Sequence, residues 1–391
     1  MKGGGTALRS TSTTSLLLSR VMRTIRAGVP SLPVDRRFSV RLDQACGETF
    51  AQVWFLTRGC SWDRSGSCTM CNYGHGPKVT DDVMVEAVAD ALETIKEPVG
   101  ELFVSPSGSM LDPHEVPESA RVRILELLAA FPAPKVCLET RAETITPGVV
   151  DYLVATLSGK RLTVELGLES SSPWIQQFCI NRASRRGSFE SAAGYLRRHG
   201  VRVAANISLG TAFLTAAEAI DDACRSISWA LENGADQVVV FPLHVKPYTL
   251  LSWLHERGLY RPPSLWSLVE VLSRVAPRDL HRVIISWYRD DYGPADQPVF
   301  PPTTCRDCRE RVLILLDRYR HRPSTEALTA LAAEPCECKD EWREEVARAP
   351  DMSLGERVLR HYDVLAGEFG LVDWWAGQRE HVRAELLESP L

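Results

Sequence analysis

The chain of 391 residues contains no stretch of about 18 consecutive apolar residues, so no membrane-spanning helix is expected and no membrane partner with it. Near the N-terminus the longest apolar run is Leu16-Leu17-Leu18, far short of the apolar region of a secretory signal. Lysine is scarce: 7 of the 45 basic residues, a bias that accompanies GC-rich genomes and carries no chemistry. Positive charge is also missing from most of the chain. Residues 1–40 carry a net +6, which leaves −11 on the remainder of a chain whose total is −5. Nothing in that body invites a polyanion. The Cys count of 11 is odd, and a closed disulfide framework would leave one thiol over. Disulfide scaffolds are also much shorter than this. These absences point to the cytoplasm, a reducing compartment in which thiolates stay available to bind metal.

A content of 45% hydrophobic and 24% charged residues is that of a soluble globular protein, with length for one large domain and a smaller one. The basic, Ser/Thr-rich residues 1–44 are read as a flexible segment; a transit peptide and a phosphate-gripping arm are the other readings. From 45 to 293, short apolar runs alternate with longer helical patterns. Strands are expected at 52–56, 102–105, 135–140, 162–168, 201–208 and 237–241. Helices are expected after the N-cap Thr80 and at 118–131, 148–156, 188–199, 215–233 and 264–275. Repeated β-α units imply parallel strands with helices outside. Six units make a partial (β/α)6 barrel, an incomplete TIM-like barrel whose sites sit at the C-terminal strand ends.

Alternation within the strands says what the lumen holds. Leu162, Val164, Leu166 and Leu168 share one face, and Thr163, Glu165, Gly167 and Glu169 the other. Val136 and Leu138 oppose Cys137, Glu139 and Arg141. Val201, Val203, Ala205 and Ile207 oppose Arg202, Ala204, Asn206 and Ser208. With the apolar faces against helices, three consecutive strands aim carboxylates, arginines and an amide inward. Such groups are costly to bury unless paired or bound. A self-satisfied Glu–Arg network is one reading; a cavity for a polar, zwitterionic ligand is the one preferred.

Two cysteine clusters stand out. Cys60, Cys68 and Cys71 follow the first expected strand, a placement that suits an iron–sulfur cluster with one iron left open. A zinc site completed by His75 or a remote Cys is the rival. The second cluster, Cys305, Cys308, Cys336 and Cys338, lies in a helical segment, 294–391, that ends with amphipathic stretches at 354–369 and 374–387. Four cysteines in two tight pairs fit a closed structural zinc site, an auxiliary iron–sulfur cluster being the rival. The remaining Cys46, Cys137, Cys179 and Cys224 read as small buried hydrophobes. His244 and Lys246 follow the sixth strand, where substrate contacts would fall, but a loop His or Lys is more often solvated than catalytic.

The chain resembles radical S-adenosylmethionine (SAM) enzymes, and within them the archaeosine-biosynthesis radical SAM lyase family, a relative of the catalytic subunit of Elongator. The resemblance rests on Gly59-Cys60-Ser61-Trp62, Cys68-Thr-Met-Cys71-x-Tyr73, Ser107-Gly108-Ser109-Met110-Leu111-Asp112, Glu139-Thr140-Arg141-x-Glu143, Glu165-Leu-Gly-Leu-Glu169-Ser, Pro263-Ser-Leu-Trp266-Ser, and the C-terminal cysteine pairs followed by Trp342. It implies that Cys60, Cys68 and Cys71 hold a [4Fe–4S] cluster whose open iron chelates SAM. Ser107, Gly108 and Ser109 would meet the methionine amino group, and Met70 the adenine. Glu139, Glu169, Arg141 and Arg182 would meet the ribose hydroxyls and the carboxylate, with the lumen-facing Glu165 and Asn206 as further cofactor contacts. The seven-residue gap between Cys60 and Cys68 is longer than the superfamily's common spacing of three.

The resemblance further implies cleavage of a C–N (or C–C) bond in a lysine-derived side chain on a 7-deazaguanine base of tRNA. A reductase, flavodoxin or ferredoxin would donate the electron, and a partner enzyme would supply the substrate. Two readings compete with it: the same chemistry on a free amino-acid-derived molecule, which the acidic body favours, and a non-catalytic, metal-stapled interaction module.

Overall fold

The computed structural model describes residues 13–29, 37–66, 68–106, 108–182, 187–289 and 300–388. Its centre is one eight-stranded sheet whose spatial order follows the sequence. The strands are β1 (Phe38–Ala45), β2 (Glu48–Phe55), β3 (Glu101–Ser105), β4 (Lys135–Arg141), β5 (Arg161–Glu169), β6 (Arg202–Leu209), β7 (Gln237–Pro242) and β8 (Val283–Ile285). From β2 to β8 every neighbour is parallel. The chain is an α/β protein with a curled, open barrel, as expected.

Each expected strand and crossover helix is present, with ends shifted by a few residues. Thr80 caps its helix, Asp81–Thr94, by accepting from the Val83 N–H, and Thr215 forms a reciprocal capping box with Glu218. The outer faces of the strands bury the expected apolar residues, among them Val136, Leu138, Val164, Leu166, Val203 and Ala205. The six-unit expectation missed two strands. The first, β1, pairs antiparallel with β2 through a two-residue turn in which Cys46 and Gly47 both take positive φ, the geometry that matches strand twist. The second, β8, has only three residues, too short for a pattern to show.

Two segments depart from the expected domain division. Residues 13–29 are not a flexible tail: the helix Thr13–Ile25 buries Leu17, Leu18, Val21 and Met22 completely. Burying each is worth about 1.5–3 kcal/mol, enough to overcome the charge pattern that suggested disorder. Nor do the described residues of 294–391, which are 300–388, form a core of their own. Val312, Leu316 and Tyr319 of the helix Arg306–His321 join the core around the sheet. Val358, Tyr362 and Leu365 of the helix Leu354–Glu368 join a second core with the N-terminal helix and Trp174, Phe178, Leu250 and Leu254. None of the helices described is long and apolar enough to cross a membrane.

Candidate active site

The strand β2 ends in a loop that returns on itself so closely that only glycine fits at positions 59, 74 and 76. A Cβ on Gly59 (φ +83) would lie 2.7 Å from the Tyr73 carbonyl oxygen, and one on Gly76 would lie 2.1 Å from that of Thr57. The Cys60 N–H donates to the Tyr73 carbonyl at 2.8 Å, which closes the loop. Thr69 ties it to the far side of the barrel: its hydroxyl donates to the Cys179 carbonyl and its N–H to that of Ile180.

The loop is held from beneath by a residue of the N-terminal segment. Arg26, 6% exposed, donates to the carbonyls of Asp63 (2.6 Å), Cys68 (2.7 Å) and Cys71 (2.7 Å). It also ion-pairs with the Asp63 carboxylate, whose other oxygen accepts the Gly74 N–H at 2.6 Å. Burial pushes the Asp63 carboxyl up to about 6, with Arg26 pulling against it. One guanidinium thus fixes the backbone at two of the three cysteines. No local pattern signals such a role for an arginine in a basic leader.

Cys60, Cys68 and Cys71 all face one cavity of about 790 Å3 inside the barrel, large among small-molecule sites. Burial pushes the Cys60 thiol up to about 12. The Cys71 thiol is raised too, first by its hydrogen bond with Cys68 and then by burial. Thiols in this state ionise when a positive charge comes to them, as an iron–sulfur cluster brings. Three of them on one loop, open to a roomy cavity, fit a cluster that keeps one position for an outside ligand.

The polar face foreseen for the lumen is the cavity wall. Met70, Gly108, Glu139, Arg141, Glu165, Glu169, Arg182 and Asn206 all line it. Arg141 donates to Ser61 and Asp112 and lies 4.0 Å from the Cys60 sulfur. A register shift between Gly167 and Glu169, with Glu169 at φ +67, aims the Glu169 carboxylate at its partners. It accepts from Arg182 at 2.9 Å and from Ser208 at 2.6 Å, and Arg182 also donates to the Gly167 carbonyl. The Met70 sulfur sits 4.0 Å from the Ser208 hydroxyl. Both anticipated readings therefore meet here: Glu169 and Arg182 satisfy each other, yet remain on the wall of an open chamber.

Ser109 behaves otherwise. It is fully buried and off the cavity wall, its N–H donating to Glu115 at 2.8 Å and its hydroxyl 2.6 Å from that of Thr140. It braces the loop from behind because the Glu115 carboxylate fills the space under Gly108, where a Cβ would lie 2.4 Å from it. Ser107 lies outside the described residues.

The plain loop reading of His244 and Lys246 missed what the fold does with them. The Lys246 ammonium donates to the Tyr73 hydroxyl and lies 4.0 Å from the Tyr73 ring centre and 4.4 Å from that of Trp287. Burial pushes it down to about 8. His244 contacts the Trp287 carbonyl at 2.6 Å. Their position just past a barrel strand was the available signal.

The second cysteine group is separate. The sulfurs of Cys305, Cys308, Cys336 and Cys338 lie within 4.8 Å of one another, and none of the four lines the cavity. The distances Cys305–Cys308, Cys305–Cys336 and Cys308–Cys338 are 3.7, 3.4 and 3.6 Å. A tetrahedron with metal–sulfur bonds of about 2.3 Å has edges of about 3.8 Å, so the group is set for one ion. The Trp266 indole N–H donates to the Cys338 sulfur, which ties the group to the helix Leu265–Ser273.

No family model matches the chain. It is 31% identical over 312 residues to archaeosine synthase subunit beta of Methanosarcina acetivorans, covering 78% of this chain and 87% of that one. It is 30% identical over 309 residues to the protein of the same name from Thermococcus kodakarensis, covering 77% and 93%. Among solved structures, an archaeal Elp3 from Methanocaldococcus infernus aligns at 17% identity with a TM-score of 0.42, over 62% of this chain and 60% of that one.

Proposed function

Because the chain belongs to the archaeosine synthase subunit beta family, within the radical SAM enzymes, we propose that it is a lyase that abstracts hydrogen from a lysine-derived side chain on a tRNA 7-deazaguanine nucleoside and so breaks its C–N (or C–C) bond. The carrying observation is the single cavity faced by Cys60, Cys68 and Cys71 at one end and by Glu139, Glu169 and Arg182 along its wall. A [4Fe–4S] cluster on the three thiolates, with SAM, supplies a 5′-deoxyadenosyl radical when reduced.

The chain's own residues do the rest. Arg26 holds the cysteine loop. Arg141, beside Cys60, offers charge to the SAM carboxylate. Glu169 and Ser208 offer acceptors to ribose hydroxyls, and Met70 a soft contact to the adenine. Tyr73 and Trp287 hold the Lys246 ammonium between their rings on the chamber wall, where it offers hydrogen-bond donors to a substrate. The electron would come from a reductase, flavodoxin or ferredoxin. The word subunit in the relatives' name supports a partner that supplies the substrate, acting in the cytoplasm. The closed geometry of Cys305, Cys308, Cys336 and Cys338 supports one structural Zn2+.

The acidic body favours a second reading, a free amino-acid-derived substrate. Deoxyadenosine release separates the two: tRNA bearing the lysine adduct should raise it severalfold over SAM alone. If free lysine derivatives raise it and the tRNA does not, the nucleoside reading fails.

A further inference from the structure

Below the SAM contacts the lumen presents hydrogen-bond acceptors that no cation among the described residues contacts as an ion pair. Glu139 on β4 and Glu165 on β5 stand opposite each other in register, both facing the cavity. Glu165 lies four residues before the strand end at Glu169. At about 3.3 Å per residue that is about 13 Å back along the strand, towards the floor of the barrel. Asn206, on the next strand, donates its amide to Glu139 at 3.4 Å and also to Glu165. This fixes the orientation of the amide and leaves its carbonyl oxygen buried without a donor, on a residue 4% exposed. Ser105 donates to the other oxygen of Glu139.

Three nearby cations have other direct partners: Arg182 is bound to Glu169, Arg141 to Asp112, and Lys246 to Tyr73 between two aromatic rings. Lys246 and Arg182 act on Glu139 only through space, and Arg202, also on the cavity wall, forms no ion pair with either glutamate among the described residues. Among the described residues neither Glu139 nor Glu165 forms an ion pair. Burial, then the neighbouring carboxylate, pushes the Glu165 carboxyl up to about 8. The lumen meets the cost of two adjacent carboxyls by favouring a proton on Glu165; a donor-rich cation entering beside them would let both ionise and would also answer the amide carbonyl.

We propose that Glu139, Glu165 and Asn206 form a receptor for an alkylammonium group of the substrate. An ammonium has three N–H donors and no acceptor, which matches two carboxylates and one amide oxygen. The three residues thereby belong to the substrate, deeper than the SAM site for which the sequence suggested them. The assignment rests on the proposed function in one respect, that the lumen is the chamber of a radical enzyme. It adds that the end of the substrate held there is cationic.

The test uses the full chain, reconstituted anaerobically with SAM present and no reductant. n-Pentylamine and its uncharged analogue pentan-1-ol are the probes, read by saturation-transfer NMR on the ligand. The amine should show transfer at the methylene beside its nitrogen and the alcohol at least fivefold less. Glu165→Gln and Glu139→Gln should each lower the amine signal at least fivefold, with a melting temperature no lower than wild type, which separates lost recognition from lost folding. Equal transfer to both probes, or amine transfer that survives both substitutions, would overturn the receptor. A tRNA adduct that fails to raise deoxyadenosine while the amine is still preferred would sink the nucleoside reading alone.

Discussion

Arg26 reaches the site across 37 to 45 residues of chain, and it shows how a single side chain can organise a loop. Replacing it by Ala leaves three carbonyls without their donor and the Asp63 carboxylate buried without its cation. Breaking a buried pair typically costs about 3–5 kcal/mol. Arg26→Ala should therefore lose stability of that order in urea unfolding and retain less iron per chain after reconstitution; wild-type iron content would contradict the clamp. Asp222 gives a cleaner titration, since it neither lines the cavity nor belongs to either cysteine cluster. It is buried with one hydrogen bond, from Ser170, and burial raises it from an ordinary 3.8 to about 6. Between those values the folded chain holds a proton that the unfolded chain has lost, so this group's contribution falls as pH rises from 3.8 to 6. Asp222→Asn should remove that slope. Unfolding free energies at pH 4 and pH 7 check it, and an unchanged difference would be the contrary result. Neither residue was legible beforehand. Arg26 looked like part of a basic tail, and Asp222 like one more acidic residue on a helix.

At the scale of elements, legibility followed periodicity. The strands β2 to β7 alternate cleanly, because one face packs on helices and the other lines a polar chamber, and that alternation named Glu139, Arg141, Glu165, Glu169 and Asn206 as lumen residues. It could not say how deep each one lies or which neighbour engages it. That depends on register between strands and on the loops beyond them, where Glu115 sits under Gly108 and turns Ser109 away from the chamber. The four-cysteine group was legible from spacing alone. Cys305 and Cys336 each begin a helix, Arg306–His321 and Glu337–Ala347, so a bound ion joins the two helix starts. Cys336→Ser should lower the melting temperature and abolish bound zinc while leaving about four irons per chain. Metal analysis reads both. Iron well above four with no zinc would make the group a second cluster.

In the whole molecule, one core surrounds the sheet and a second lies over its open end, where the N-terminal helix, the helix Leu354–Glu368 and the segment around Trp174 and Phe178 meet. The barrel was legible because its units are local. The second core was not, since its parts lie up to some 370 residues apart in sequence and no local pattern pairs them. We infer that this open chamber cleaves SAM at a cluster on three cysteines. Protein reconstituted anaerobically with iron and sulfide, then given SAM and dithionite, measures it directly by the yield of 5′-deoxyadenosine. The account predicts deoxyadenosine from wild type and none above background from Cys68→Ala. A wild type with a full cluster and no product, or a Cys68→Ala variant that keeps the activity, would contradict it.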